Sequence, residues 1–175
     1  PSLQTATLSY LEKLPEDLFA NYYEARAFLA TVEPMRSFTI DMRQDFRLEA
    51  EALIRQIERA GKALRARQKA ENTPEQRDLL ENLYQKLRLQ QARLLVLIWR
   101  LGGYREDKHP DVVYRDKALN ILEQDALINL KEAKVLKIAI YNHILDRWHW
   151  FEGQQVIQGT KQNRRSMNIS GMDDV

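Results

Sequence analysis

Two long stretches of this sequence repeat apolar residues in the alternating three- and four-residue steps of a heptad. This spacing holds one edge of a helix against a partner, so it predicts two long helices that pack along a continuous seam. The seam residues of the first stretch are Phe46, Ala50, Leu53, Ile57, Ala60 and Leu64. Those of the second stretch are Leu80, Leu83, Leu87, Gln90, Leu94, Leu97 and Leu101.

The segment between the two stretches has the composition of a turn that leads into a new helix. Thr73 is the expected N-cap, Pro74 the first helical residue, and Gln76 the partner of Thr73 in a capping box. A turn this short folds the second helix back along the first, as an antiparallel hairpin. Folding about residue 72 places Ala60 near Leu83, so that a small residue faces a large one.

The remaining sequence also favours helices, because 6 glycines and 5 prolines in 175 residues are too few for a fold built from many turns. Amphipathic spacing predicts helices over 3–14 and 15–32, the second ended by Glu33 and Pro34. After Gly102 and Gly103 a long helical stretch runs to about residue 152, with a break near Asp125 left open. The apolar run 135–141 within it is interpreted as helix rather than strand.

Apolar residues outside the seam indicate which part of the hairpin is buried. They are Leu48 and Ala52 on the first helix, and Leu89, Ala92, Leu95, Val96 and Trp99 on the second. A helix that is apolar on most sides is covered by more than one neighbour. We therefore predict an all-α fold, an elongated helical bundle over 1–152 from which an antiparallel coiled-coil hairpin arm, about 37–101, protrudes. Residues 153–175 are predicted to form a flexible polar tail.

The composition and motifs exclude several classes of function. The absence of cysteine excludes disulfides, thiolate zinc sites and a cysteine nucleophile. No phosphate-binding loop, zinc helix, calcium loop or serine nucleophile motif occurs, and the pairs His143–Asp146 and His149–Glu152 lack further converging ligands. We expect no catalytic residues, cofactor or metal. No apolar stretch reaches membrane-spanning length and no signal peptide opens the chain, which predicts a cytoplasmic protein without a transmembrane segment.

The hairpin carries a basic face that is the first candidate contact surface. Its residues are Arg55, Arg59, Lys62, Arg65 and Lys69. These cations can bind a protein partner or track the phosphates of nucleic acid or an anionic surface. The alternative is an ordinary solvated helix face. No aromatic residues interleave with the charges, so base stacking is not supported.

Two further features are candidate contact sites. Trp148, Trp150 and Phe151 form a dense aromatic end to the last helix, either as core or as an anchor for a partner. Gln90 is the one polar residue in its seam, and its helix partner offers no hydrogen-bonding group near it. We expect either a third helix or the Gln90 of a second chain to satisfy this amide, which would make Gln90 a determinant of seam specificity.

The sequence thus favours a non-enzymatic protein-interaction, adaptor, scaffold or assembly subunit. It would use the hairpin arm to bind another protein or itself, as a homo- or hetero-oligomer. The first alternative is binding of nucleic acid or an anionic surface through the basic face. The second is an enzyme or metal protein that uses the C-terminal helix.

Overall fold

The computed structural model describes residues 16–105 and 109–146, with side chains from residue 20 onward. All regular elements of these residues are helices, and no strand occurs among them. This confirms the predicted all-α class, and a helical bundle fits the arrangement. The predicted helix 3–14, the tail 153–175 and the aromatic residues Trp148, Trp150 and Phe151 lie outside the described residues.

The helices follow the predicted order, and the long C-terminal stretch is divided in two. Helix α1 spans Glu16–Val32, α2 spans Ile40–Ala70, α3 spans Pro74–Leu101 and α4 spans Val112–Leu122. Residues 123–130 form turns, and residues 131–146 are helical as α5. The break left open near Asp125 is therefore present, and residues 135–141 are helical as predicted.

Side-chain contacts show that α2 and α3 run antiparallel. Arg65 of α2 bonds to Glu81 of α3, and Glu58, earlier on α2, accepts a bond from Gln91, later on α3. The seam between these helices is buried at every position named above except Phe46, which is half-buried. The seam spacing is thus a correct guide to burial, because both helices turn the same edge towards each other over their whole contact.

Helices α1 and α4 cover further faces of the pair. Helix α1 contacts both α2 and α3, and the Arg93 guanidinium bonds to the carboxylate of Glu33 at 2.9 and 2.8 Å. Helix α4 packs on α3. Trp99 and Leu97 are buried beneath these neighbours, as the apolar faces predicted. Leu48 was grouped with them wrongly: its residue is 59% exposed, because no described helix packs over that side of α2.

The ends of α2 and α3 follow local chemistry, with one correction. The Thr39 side chain caps α2 by accepting a hydrogen bond from the Met42 amide at 3.1 Å. The capping box predicted at Thr73 is not formed, since the Thr73 side chain makes no cap bond. Pro74 begins α3 as predicted. The turn is held from α3 instead, where the Arg77 guanidinium donates to the Glu71 carbonyl oxygen at 2.8 Å.

The chain divides into two compact units, Pro1–Ile138 and Ala139–Val175. All contacts and clefts described below lie within the first unit. None of the described helices combines the length and the apolar character that crossing a bilayer requires.

Candidate functional site

An open cleft of about 640 Å³ lies between α2 and α3, towards the turn that joins them. Ile57 and Gly61 are buried and form its floor. Lys62 and Lys69 of α2 and Arg88 of α3 bring positive charge to its edges. We call this site the basic cleft. It combines a cationic rim with the exposed side chain of Ala66, a combination that suits an amphipathic, acidic partner.

Lys62 and Lys69 are available to such a partner. Both residues are exposed. Among the described residues, neither side chain makes a hydrogen bond or an ion pair. They lie seven residues apart on α2, so they project from the same face about two helical turns apart.

Arg65 lies between the two lysines and serves a structural purpose. Its guanidinium bonds to the Glu81 carboxylate and lies over the Tyr84 ring, 3.6 Å from the ring centroid. Partial burial on its own raises the pKa of Glu81, but the hydrogen bonds from Arg65 and Gln68 outweigh it and hold the pKa below its usual value. Arg65 thus ties α2 to α3 and covers one face of Tyr84.

Arg88 marks the boundary between the basic cleft and the segment that follows α4. Its Nη1 donates to Gln91, and its Nη2 donates to Gln124 at 3.1 Å. Its Nε is buried and has no partner among the described residues. Two of its three nitrogens are therefore fixed, which holds the guanidinium at the edge of the cleft.

Of the five basic residues that the sequence singled out, the structure brings Lys62, Arg65 and Lys69 together in the basic cleft. Arg55 is exposed and lines a different cleft beside Tyr114 of α4. Arg59 is exposed and lines neither. Arg55 thus lies in a neighbouring cleft that shares Glu58 and Arg88 with the basic cleft.

Arg88 is the cleft residue that sequence reasoning missed. It lies on α3, and the basic face was traced along α2 alone. The register in which Glu58 meets Gln91 brings Arg88 beside the lysines, and that register could be read from the two seams.

Gln90 lies in the seam and its residue is 5% exposed. Its Oε1 has no hydrogen-bond partner among the described residues. Leu53 and Ile54 of α2 are buried and apolar, as the sequence indicated. That a group beyond α2 satisfies this amide stays a prediction.

No three His, Cys, Asp or Glu side chains in the described part of the chain come together as a metal site would need. Comparison of the chain with models of protein families, with curated proteins and with solved structures finds no match.

Proposed function

We propose that this chain is a non-enzymatic protein-interaction subunit, and that the basic cleft binds an acidic amphipathic helix of another protein. The observation that carries the proposal is that Lys62 and Lys69, which have no partner among the described residues, lie beside the exposed Ala66 on one face of the α2–α3 pair. Such a surface complements a helix that is apolar on one side and acidic on the other.

The face of the α2–α3 pair that holds the basic cleft is already contacted by another helix, α4, at a different level of α2. Glu51 and Glu58 lie seven residues apart and share a face of α2. Glu51 accepts a bond from the Tyr114 hydroxyl of α4 at 3.0 Å, and Glu58 borders the basic cleft. A partner helix in the cleft would therefore lie on the same face of α2 that α4 contacts.

A protein partner fits the cleft better than nucleic acid does. Single-stranded nucleic acid binds through cations combined with exposed aromatic rings on which bases stack. Tyr84 is the aromatic residue of the cleft, and the Arg65 guanidinium lies over its ring. The exposed Ala66 of the cleft offers apolar contact instead.

The test is a selection from a display library of random peptides, followed by measurement of binding by fluorescence anisotropy. We expect the selected peptides to be acidic and amphipathic. The double variant Lys62→Glu, Lys69→Glu should weaken them at least about tenfold, since it replaces two attractions with two repulsions. The double variant Arg26→Glu, Arg59→Glu is the matched control: it changes the net charge equally at exposed positions outside the cleft.

Equal weakening by both double variants would show non-specific attraction by net charge and contradict the proposal. A selection that yields no acidic peptides would also contradict the proposal. Tighter binding of an oligonucleotide than of the peptides, with a steep salt dependence, would favour the polyanion alternative.

A further inference from the structure

The basic cleft adjoins a second open cleft, of about 510 Å³, between α2, α3 and α4. Glu58 and Arg88 line both clefts, so one continues into the other. The neighbouring cleft adds Arg55 of α2 and Lys117 of α4 to the positive groups along this side of the helix pair. We call the two clefts together the basic groove.

Three cations of α2 follow one another along the basic groove at intervals of seven residues. They are Arg55, Lys62 and Lys69. All three are exposed, and in the described part of the chain none makes a hydrogen bond or an ion pair. Residues seven apart share a face of a helix and lie about 10.5 Å apart along its axis, so these three span about 21 Å. The line drifts round α2 by only about 20° per heptad, which a second helix follows by crossing at a small angle.

Glu58 sets the positions at which a partner can place its own charges. Its carboxylate lines both clefts and accepts a bond from the neutral Gln91 amide at 3.1 Å. It lies on α2 between Arg55 and Lys62. A partner carboxylate is therefore attracted at either cation and repelled between them.

The far end of the groove, beside α4, carries unpaired positive charge. The Glu51 carboxylate there accepts bonds from Arg47 and from the Tyr114 hydroxyl, so it is already engaged. Lys117, on the α4 wall, is exposed and has no ion pair among the described residues. Arg55 and Lys117 thus make this end as suitable for an acidic group as the basic cleft itself.

We propose, resting on the proposed function, that the partner is one continuous helix that fills the whole basic groove. It has at least about 15 residues and carries carboxylates at three positions seven residues apart. These carboxylates pair with Arg55, Lys62 and Lys69, and the residue that faces Glu58 is not acidic. A helix confined to the basic cleft would reach the two lysines alone.

The test is the binding of a fluorescein-labelled helical peptide of about 18 residues to the full chain, measured by fluorescence anisotropy. The peptide carries three glutamates at intervals of seven residues, with leucine midway between them on the same edge. Arg55→Glu should weaken binding at least about tenfold, since it replaces an attraction with a repulsion. Arg26→Glu is the matched control, because it changes the net charge equally at an exposed position of α1 outside both clefts. It should weaken binding less than about twofold, since solvent and salt screen a distant charge.

Two variants of the peptide locate the contact, each with glutamine in place of one end glutamate. One variant should respond to Arg55→Glu less than about twofold and still respond to Lys69→Glu, and the other should show the reverse. The reason is that each end glutamate pairs with one of these two cations, so removing either member of a pair removes the coupling. An equal response of both peptide variants to Arg55→Glu overturns the proposal.

The outcomes also separate this inference from the proposed function. Binding that is weakened by the double variant Lys62→Glu, Lys69→Glu but not by Arg55→Glu overturns the long partner helix and leaves the basic cleft as the binding site. Binding that is weakened by neither, or a peptide that does not bind, overturns both.

Discussion

At the scale of single residues, Gly102 has a role that its position after α3 alone does not explain. A Cβ at this position would collide with the carboxylate of Asp111, a residue that is only 4% exposed. That carboxylate is held by Arg47, whose Nη2 lies 2.8 Å from Asp111 Oδ1. Partial burial works to lower the pKa of Arg47, but its bonds to Asp111 and Tyr114 raise it above the usual value. Gly102 leaves the space that the buried Asp111 carboxylate of this pair occupies.

Gly102→Ala should therefore lower the free energy of unfolding by about 1–3 kcal/mol, the usual cost of forcing an extra group into a packed site. Denaturant unfolding measures it. Gly61→Ala is the matched control, since a Cβ there meets the Tyr84 ring at an ordinary 3.6 Å. Alanine in the middle of a helix should stabilise by up to about 1 kcal/mol. Equal effects of the two substitutions would show that the Asp111 carboxylate moves aside at little cost.

At the scale of the helices, the ion pair between Arg65 and Glu81 makes the α2–α3 contact sensitive to acid. The folded-state pKa of Glu81 is lower than its unfolded value, near 4.5. The ionised carboxylate therefore contributes to stability above pH 4.5, and the contribution is lost as the pH falls through the lower folded-state value.

The free energy of unfolding of the wild type and of Glu81→Gln, measured across the acid range, should show this contribution. The difference between the two should be constant near neutral pH and should shrink below about pH 4.5. Arg65→Gln removes the cation and should lose the part of this acid dependence that Arg65 supplies, while the Gln68 hydrogen bond keeps the rest. A difference that does not change with pH would mean that Glu81 acts through packing or neutral hydrogen bonds alone.

At the scale of the whole molecule, Trp99 connects α3 with the loop that leads to α4. Its ring is fully buried and packs edge-to-face against Tyr104, with the ring centroids 4.9 Å apart. Its Nε1 donates to the Arg105 carbonyl oxygen at 2.9 Å. The residue thus contributes both apolar burial and a hydrogen bond that fixes the loop.

Trp99→Ala should cost about 3–5 kcal/mol, from lost burial plus the cavity left behind. Trp99→Phe keeps much of the ring and should cost less, about 1–3 kcal/mol, because it leaves the carbonyl oxygen without its donor. Thermal melting of the two variants measures both losses of stability. An unchanged melting curve for Trp99→Ala would contradict the burial of this face.

The sequence predicts the helices and their seam well, because heptad spacing is a local property that each helix carries alone. Its heptad spacing predicts the burial of Leu87 and Leu94, and its two glycines at 102 and 103 predict the end of α3 at Leu101. It does not predict the exposure of Leu48, because that depends on which faces of α2 the other helices cover. The basic cleft can be predicted only from both seams taken together, because Arg88 joins the lysines through the pairing of the two helices.

The face of α2 that carries Glu51, Glu58 and Arg65 contacts another helix at every seventh residue. Glu51 meets α4, Glu58 meets Gln91 and Arg65 meets Glu81. The two helices can therefore be lengthened together in steps of seven residues without changing the pattern of these contacts. Adding seven residues at matching levels of both helices would move the basic cleft outward by about 10.5 Å and keep its orientation. Deleting one residue from α2 would instead rotate everything beyond the deletion by about 100° and take Arg65 away from Glu81. Related chains that vary the reach of this pair should differ in steps of whole heptads.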